Sequence, residues 1–371
     1  MNLVSTLRDR LPSMLEDLEH LVTCESPSED LAATAQCAEA VSDLGQRLLG
    51  QPAESVRTGD RVHLRWRFGS GDRVAMIGHL DTVWPLGTID RWPFAVHGER
   101  ATGPGAFDMK AGIVAGLHAL TLLDDLDGVT FLITSDEELG SLSSRQLVEE
   151  LGRTCSAALV LEPPVGPAVK TVRKGVSLYQ VVIEGRAAHA GLEPELGANA
   201  LIELAHQVLA IEEIARSSVG TTVTPTIASA GSASNVVPAT ARINVDVRAK
   251  TSAEQLRVHD EISSLRPAIA GTRLTVSGGP NRPPLPEVAS ARLFARAREL
   301  AKKLDLPELE GAAVGGGSDG NFTAGVGCET LDGLGAVGAG AHAEGEHIVI
   351  DSIPPRTALI RELVADVLSG G

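Results

Sequence analysis

The chain has 371 residues, a length that favours two domains over one. Its 48 acidic and 32 basic residues give a formal net charge of −16, which repels nucleic-acid phosphates and anionic membrane surfaces. Four scattered cysteines without a CxxC pair argue against a disulfide framework and an all-cysteine metal site. The sequence shows neither a signal-peptide pattern nor an apolar run of membrane-spanning length, so we expect a soluble cytoplasmic protein whose partners include neither nucleic acid nor membrane.

The first half of the chain predicts an α/β unit. Leucines and a valine at helical spacing over 3–22 predict one amphipathic helix, and Ser28 is the expected N-cap of a second. Alternating polarity over 63–68 predicts a strand. The buried strands and intervening helices expected next are 74–78, 109–123, 129–134, 143–151 and 157–161. Strands that alternate with helices predict a sheet with helices on its faces.

The pattern changes after Gly175, where the predicted order becomes β-α-β-β-α-β, which is typical of a ferredoxin-like domain. These elements are strand 177–184, helix 198–216, strands 222–228 and 241–248, helix 253–265 and strand 273–277, and a helix at 287–303 and a last helix ending at 368 follow them. The Gly- and Pro-rich stretch 278–284 is the expected hinge. We therefore expect one domain of residues 1–174 and 281–371, with a second domain, 175–280, inserted in it.

Acidic residues and histidines are concentrated in five motifs. These are GHLDTV (78–83), GPGAFDMK (103–110), SDEELG (135–140), LEPP (161–164) and GAGAHAEGEH (338–347). Each of the first three has a plain structural reading when taken alone. His79 and Asp81 fit a solvated turn, and Asp108 fits a helix N-cap. Glu137 and Glu138 fit a solvated acidic turn.

The same residues also have a chemical reading. Strand ends are where α/β sheets place their ligands, and a set of His, Asp and Glu side chains suits two borderline cations such as Zn²⁺. Neighbours on an extended chain point opposite ways, so one of Glu137 and Glu138 can bind a metal while the other faces a bound water. Asp81 could fix the imidazole of His79.

In order and spacing, these motifs resemble those of the M20 family of dinuclear zinc peptidases and deacylases, over nearly the whole chain. Within the family, the chain is most similar to the bacterial glutamate carboxypeptidase branch, which cleaves folate-type glutamates; segments 193–200 and 315–319 contribute to that similarity. The resemblance implies a zinc-peptidase α/β/α catalytic domain with an inserted ferredoxin-like α+β dimerisation domain. It also implies hydrolysis of an amide bond next to a free carboxylate, in a small molecule or short peptide, with release of a C-terminal amino acid.

The resemblance further implies a set of metal ligands. Asp108 would bridge two Zn²⁺ ions in each subunit, for which Co²⁺ could substitute. His79 and Glu162 would complete one metal site. Glu138 and His342 would complete the other.

Other matching residues would act on the substrate. Glu137 is the expected general base, and Asp81 is expected to orient His79. In the implied homodimer, His189 would reach the active site of the partner subunit. The remaining candidates for substrate binding are Asn235, Arg248, Arg282 and Gly317.

Three alternatives stay open. An N-acyl-amino-acid deacylase for acetylated or succinylated substrates would carry the same motifs, and a non-catalytic metal-binding protein could share the scaffold. Residues 316–320 also fit G-x-S-x-G, and Asp332 and His342 follow in the order of a serine hydrolase. That last motif requires a strand before Ser318 and a helix after it, and both are poorly indicated because 308–314 is a doubtful strand and glycines interrupt the helix.

Overall fold

The computed structural model describes residues 2–69 and 73–370. They form two compact units. The second unit comprises Arg173–Pro284 and Gly315–Gly317, and the first comprises the other described residues. The assignment of catalysis to the first unit and of dimerisation to the second stays a prediction.

The regular elements of the described residues are numbered here in chain order. The α-helices are α1 (Leu3–Asp9), α2 (Leu11–Thr23), α3 (Leu31–Leu49), α4 (Thr88–Arg91), α5 (Ala111–Leu120), α6 (Arg145–Thr154), α7 (Ala200–Glu213), α8 (Ser252–Ser263), α9 (Glu287–Lys303), α10 (Gly320–Gly325) and α11 (Ile353–Leu368). The strands are β1 (Glu54–Thr58), β2 (Arg61–Arg67), β3 (Val74–His79), β4 (Ala95–His97), β5 (Arg100–Thr102), β6 (Val129–Thr134), β7 (Ala157–Val160), β8 (Val169–Arg173), β9 (Gly175–Glu184), β10 (Thr222–Ala230), β11 (Thr240–Ala249), β12 (Arg273–Arg282), β13 (Gly311–Val314), β14 (Glu329–Leu331), β15 (Gly338–Ala339) and β16 (His347–Val349).

The first unit is built on a six-stranded sheet with the order β1-β2-β6-β3-β7-β14. Strand β3 pairs in parallel with β6 and β7, and β14 extends this parallel part, whereas β1 and β2 form an antiparallel edge. Every residue of β3, β6 and β7 is buried, which agrees with their unbroken apolar sequences.

Helices cover both faces of this sheet. Along β3, Val74 and Met76 belong to the larger core, which also contains side chains of α5 and α11. Ala75 and Ile77 point the other way and belong to a second core with side chains of α6 and α10. The predicted α/β/α arrangement is confirmed.

Helix α5 lies unusually close to the chain that follows β7. A Cβ atom added at Gly112 would lie 2.1 Å from the carbonyl oxygen of Leu161, and one at Gly116 would lie 2.6 Å from that residue's Cδ1 atom. Glycine is therefore required at the first of these positions, because a backbone atom cannot move aside as a side-chain end can.

Two smaller sheets complete the first unit. The four-stranded sheet has the order β15-β16-β5-β4, and β8 pairs with β13. The first of them joins the chain before α5 to the segment around 338–349, which are far apart in the sequence.

The second unit contains a four-stranded antiparallel sheet with the order β10-β11-β9-β12. In the chain, α7 follows β9 and α8 follows β11. The chain order β9-α7-β10-β11-α8-β12 is the predicted ferredoxin-like order, which is confirmed. Its core contains Tyr179, Val181, Ile243, Val245 and Ile262.

Some predicted boundaries are wrong. The first helix is interrupted at Arg10, because Pro12 occupies the first turn of α2. The cap of α3 is Asp30, whose carboxylate accepts hydrogen bonds from the backbone N–H groups of residues 32 and 33, and not Ser28. Most of the predicted hinge is strand, since β12 continues to Arg282. Within the described residues, no helix is both long and apolar enough to cross a membrane.

Candidate metal centre

The sheet order of the first unit brings three motifs to one edge. Strands β6, β3 and β7 are parallel neighbours, so their carboxyl ends lie side by side. His79 is the last residue of β3, Glu137 and Glu138 follow β6 in a short 3₁₀ turn, and Glu162 follows β7. Asp108 lies in the turn Ala106–Lys110 that leads into α5.

The side chains at this edge form two groups that share Asp108. The Nε2 atom of His79 lies 3.3 Å from one carboxylate oxygen of Asp108 and 3.5 Å from Glu162. The Nε2 atom of His342 lies 3.4 Å from the other oxygen of Asp108 and 3.1 Å from Glu138. The five residues that the sequence predicts as ligands therefore lie together, with one Asp108 oxygen directed to each imidazole.

The donor atoms fit divalent cations. His79 Nε2 and Asp108 Oδ1 are buried and have no hydrogen-bond partner within residues 2–69 and 73–370, which is costly for polar atoms unless a cation binds them. Ligand atoms of His79, Asp108 and Glu138 lie within 4.8 Å of one another, and so do those of His79, Glu137 and Glu162. The second group includes the residue expected to be the base, so a ligand role for Glu137 has to be tested.

The charges of the centre are strongly coupled. Burial by itself would lower the pKa of His79, but the carboxylates of Asp108, Asp81 and Glu162 outweigh it and raise that pKa well above its usual value. Asp108 and Glu138 raise the pKa of His342 to about 10. The carboxylates thus create a strong local preference for positive charge.

Asp81 is buried and connects two parts of the centre. Its carboxylate accepts hydrogen bonds from the backbone N–H groups of Glu137 and Glu138, both at 3.1 Å, and from Ser28 Oγ at 2.7 Å. Its backbone oxygen lies 3.0 Å from Nδ1 of His79. Asp81 therefore holds the acidic turn as well as the imidazole.

Glu346 is a residue of the site that sequence reasoning missed. Its buried carboxylate accepts hydrogen bonds from the indole N–H of Trp84 at 2.9 Å and from three backbone N–H groups, those of Gly105, Phe107 and Asp108, at 3.1, 2.8 and 2.9 Å. It thereby fixes the turn that carries Asp108. Its place four residues after His342 in the fifth motif is the only signal of it in the sequence.

Two lysines were also missed. Lys170 Nζ lies 3.6 Å from Oε2 of Glu162, whose other oxygen is the one near His79. Lys110 is buried and donates to the backbone oxygens of Leu21 and Cys24, which ties the Asp108 turn to the end of α2. Neither contact follows from a sequence motif, because the partners are distant in the chain.

The serine-hydrolase alternative does not fit the geometry. Ser318 is fully buried, and its hydroxyl donates to Asp332 at 2.6 Å. His342, the histidine this alternative requires, has its Nε2 atom directed at Asp108 and Glu138. A nucleophilic serine needs a hydrogen bond to its base, so this alternative is wrong.

The predicted substrate-binding residues all belong to the second unit. His189 is exposed, and its Nδ1 atom accepts hydrogen bonds from the backbone N–H groups of Gly191 and Leu192, both at 3.1 Å. A neutral imidazole that accepts at Nδ1 carries its proton on Nε2. His189 therefore presents an N–H donor.

The other candidates differ in exposure. Arg248 is paired through two 2.7 Å contacts with Asp246, Arg282 is buried, and Asn235 is exposed. The backbone oxygen of Gly317 accepts from the Arg173 guanidinium at 3.0 Å. Their action on a substrate stays a prediction.

Comparison with known proteins identifies the family. Residues 75–366 match the family described as peptidase family M20/M25/M40. The chain belongs to this family. The M20 resemblance predicted from the motifs is confirmed, and the protein is a metal-dependent hydrolase, so the non-catalytic alternative is not retained.

Relatives of this M20 protein include two kinds of enzyme. It is 30% identical over 383 residues to carboxypeptidase G2 from Pseudomonas sp. (strain RS-16), covering 98% of this chain and 91% of the relative. It is 29% identical over 353 residues to succinyl-diaminopimelate desuccinylase from Acinetobacter baumannii (strain SDF), covering 86% and 90%. Both names describe hydrolysis of an amide bond, and the substrate of the present enzyme is not fixed at this identity.

Solved structures agree on the fold. The M20 family metallo-carboxypeptidase Sso-CP2 from Sulfolobus solfataricus superposes with a TM-score of 0.76 at 18% identity, covering 96% of this chain and 98% of that one. Aminopeptidase PepT from Bacillus cereus ATCC 10987 gives 0.75 at 20% identity, with coverages of 97% and 98%. At these identities the similarity concerns the fold alone.

Proposed function

We propose that this M20 hydrolase is a carboxypeptidase of the glutamate carboxypeptidase type, which cleaves the amide bond next to a free carboxylate and releases a C-terminal amino acid. The observation that carries the proposal is the shared Asp108, whose two oxygens are directed to the two imidazoles. An arrangement of this kind suits a dinuclear centre, and Zn²⁺ is the ion that best matches its His and carboxylate donors. His79 and Glu162 would hold one ion, and Glu138 and His342 the other.

Residues of the chain carry the proton transfers of the proposed reaction. Two divalent cations at this centre would supply Lewis acidity and lower the pKa of the attacking water. Glu137 takes the proton of that water and delivers it to the leaving amine. Asp81 keeps Glu137 in place through the backbone hydrogen bond described above. The Nε2–H group of His189 stabilises the negative charge that develops on the amide oxygen.

We further propose a homodimer formed through the second unit, in which His189 acts on the partner's site. Strand β10 is an edge strand, and α7 exposes apolar side chains, with Leu201 46% and Leu209 62% exposed. Unpaired strand edges and exposed apolar residues are typical of surfaces that bind another chain. Asn235 and Arg248 are proposed to bind the substrate carboxylate, with Arg282 and Gly317 as further candidates.

An N-acyl-amino-acid deacylase is the second candidate function, favoured by the desuccinylase relatives. The two functions differ in which half of the substrate is selected. A carboxypeptidase of the proposed type discriminates among C-terminal residues, whereas a deacylase discriminates among acyl groups. A panel of N-acyl amino acids in which the C-terminal residue is varied first, and the acyl group second, separates them. The cytoplasmic location expected from the sequence stays a prediction.

Metal dependence is the direct test of the proposed centre. Exhaustive chelation should lower amide hydrolysis by at least about 10³-fold, because Lewis-acid stabilisation amounts to several kcal/mol. Zn²⁺ or Co²⁺ should restore it, and elemental analysis should find about two ions per chain in the active sample, as a bridging carboxylate requires. Full activity in a sample verified to be free of metal would overturn the proposal.

A further inference from the structure

The first unit contains a cleft of about 770 Å³ that adjoins the metal centre. Glu138, one of the proposed ligands, lines the cleft, and so does Thr82, which follows Asp81 directly. The volume of the cleft lies in the range of small-molecule binding sites, roughly 300–1,000 Å³. A group bound in this cleft would therefore lie next to the reacting amide.

The wall of the cleft is apolar and unusually exposed. Leu31, Val83 and Leu86 line it and are 40%, 43% and 55% exposed, and Pro27 and Pro85 lie among them. Large apolar side chains grouped at the surface beside a reaction centre are typical of a site that binds an apolar ligand.

The charged groups of the cleft disfavour an anion. The charged residues that line it, within the part of the chain that the structure describes, are Glu29, Asp30 and Glu138, all acidic. The Asp30 carboxylate already accepts from the backbone N–H groups of Ala32 and Ala33, so the N-terminus of α3 offers no compensating positive charge to a ligand. The metal centre would take up the charge of Glu138, but Glu29 and Asp30 would repel a carboxylate placed in the outer part of the cleft.

We propose that this cleft binds the acyl half of the substrate and that Val83 and Leu86 select a large, uncharged, apolar acyl group. The inference rests on the proposed function, because it needs an amide bond at the metal centre with a free carboxylate on the amine side. That carboxylate is excluded from the cleft by the acidic residues, so the cleft receives the other half. The same argument rejects an anionic acyl group such as succinyl.

A series of N-acyl glutamates tests the proposal. With the Zn²⁺-loaded enzyme, kcat/KM should rise between about two- and fourfold for each methylene from acetyl through butanoyl to hexanoyl, because an open cleft buries part of each added group. Butanoyl and succinyl form a matched pair of nearly equal size, since a carboxylate replaces the terminal methyl group. The butanoyl substrate should be preferred by at least about tenfold.

Variants assign the preference to the cleft. Leu86→Asp and Val83→Asp should abolish the rise with chain length, so that the ratio of kcat/KM for the hexanoyl substrate to kcat/KM for the acetyl substrate falls to about one, because the apolar wall that buries the longer chain is lost. Leu142→Asp is the matched control, because Leu142 is 79% exposed and does not line the cleft. The Leu142→Asp variant should keep the full increase in kcat/KM with acyl chain length.

Binding supplies a readout apart from turnover. In Zn²⁺-loaded Glu137→Gln protein, calorimetry should show tighter binding of hexanoyl-glutamate than of acetyl-glutamate, and Leu86→Asp added to this variant should remove the difference. Equal kcat/KM across the series, with hydrolysis intact, would overturn the inference and leave the proposed function standing. So would a Leu86→Asp variant that changes the sedimentation coefficient but keeps the preference, since the cleft would then be a protein contact. If no member is hydrolysed, the proposed function fails, and the calorimetric series decides the cleft alone.

Discussion

Two carboxylates, one in each unit, have opposite surroundings. In the second unit, the Glu203 carboxylate accepts hydrogen bonds from the backbone N–H groups of Ala268 and Ile269 and from the side chains of Thr272 and Gln207. In the first unit, the buried Oδ1 atom of the partly buried Asp108 has no hydrogen-bond partner among the described residues and faces an imidazole nitrogen.

The difference separates a structural acid from a proposed metal ligand. A carboxylate surrounded by N–H and O–H donors is satisfied by the fold itself and needs no further ligand. One that shares its space with other carboxylates and with imidazole nitrogens is satisfied only by a cation. Both residues are acids within helical or turn sequence, so the two proposed roles are distinguished physically by the groups around each carboxylate.

The largest change is expected when the proposed base is removed. Glu137→Gln keeps the shape of the side chain but cannot accept a proton, so kcat should fall by about 10²–10⁴-fold. Metal content, measured by elemental analysis, should stay near two ions per chain. If metal is lost in step with activity, Glu137 is a ligand, as its closeness to His79 and Glu162 allows.

Glu138→Gln is the matched control in the neighbouring position. Its carboxylate lies 3.1 Å from His342 and is expected to bind metal, so this variant should lose metal as well as activity. The pair of variants therefore tests which of the two adjacent acids belongs to which group. Retention of both ions in Glu138→Gln would reverse the assignment.

A smaller loss is expected at His189. Removal of a single oxyanion donor costs about 10²–10³-fold in kcat, and His189→Ala should lie in that range with metal content unchanged. Mixing His189→Ala with Glu137→Gln subunits should restore activity in heterodimers, because one of the two sites then has an intact base and an intact partner histidine. No rescue in heterodimers verified by mass spectrometry would contradict action across an interface.

Glu346→Gln tests whether Glu346, whose carboxylate is fully hydrogen-bonded, controls the position of the Asp108 carboxylate. Its amide nitrogen would face backbone N–H groups that now donate to Glu346, so the Asp108 turn should shift and metal affinity or activity fall by about 10–100-fold. Excess Zn²⁺ should recover part of the activity, which a merely unfolded variant would not show. Glu344→Gln, at an exposed surface position, is the control and should behave as the wild type.

The smallest effect on catalysis is expected from Glu203→Gln. The variant leaves donors unmatched and should lower the free energy of unfolding by about 1–3 kcal/mol at pH 7, measured by urea denaturation, with the metal content unchanged. Burial acts to raise the pKa of Glu203, but the donors from Ala268, Gln207 and Ile269 outweigh it and hold the pKa below its usual value.

The sign of the pH dependence follows. A depressed carboxyl pKa stabilises the fold above the unfolded-state value of about 4.3, and this contribution is lost as the pH falls through the lower folded-state value. The difference in the free energy of unfolding between the wild type and Glu203→Gln should therefore become smaller as the pH falls. A difference that becomes larger at low pH would mean that the fold stabilises the protonated carboxyl of Glu203 and not the carboxylate.

Elements set by local pattern were predictable, and those set by distant partners were not. The apolar run at 129–134 and the helix at 287–303 have the predicted bounds, since burial and periodicity decide them locally. Ser28 was expected to cap a helix, but its hydroxyl donates to Asp81, 53 residues away. Likewise the glycines at 278 and 279, which suggested a hinge, lie within β12, where pairing with β9 overrides the local preference.

The same rule applies to the centre. The family motifs pointed to the five residues that the sheet order brings together. Glu346, Lys170 and Lys110 escaped notice because their partners are backbone atoms or a ligand's second oxygen, contacts that carry no fixed spacing in the sequence. Their roles become visible only in the folded structure, where these distant partners lie within hydrogen-bond or ion-pair distance.

The close approach between Gly112 and the carbonyl oxygen of Leu161 also limits which substitutions the metal centre can tolerate. This glycine stands four residues after Asp108, and the carbonyl it touches belongs to Leu161, immediately before Glu162. Any larger residue would push these two segments apart and move a proposed bridging ligand away from a terminal one. The separation between the ligands is thus set by the absence of a side chain, and tolerance to substitution at this point should be lower than at most of the carboxylates themselves.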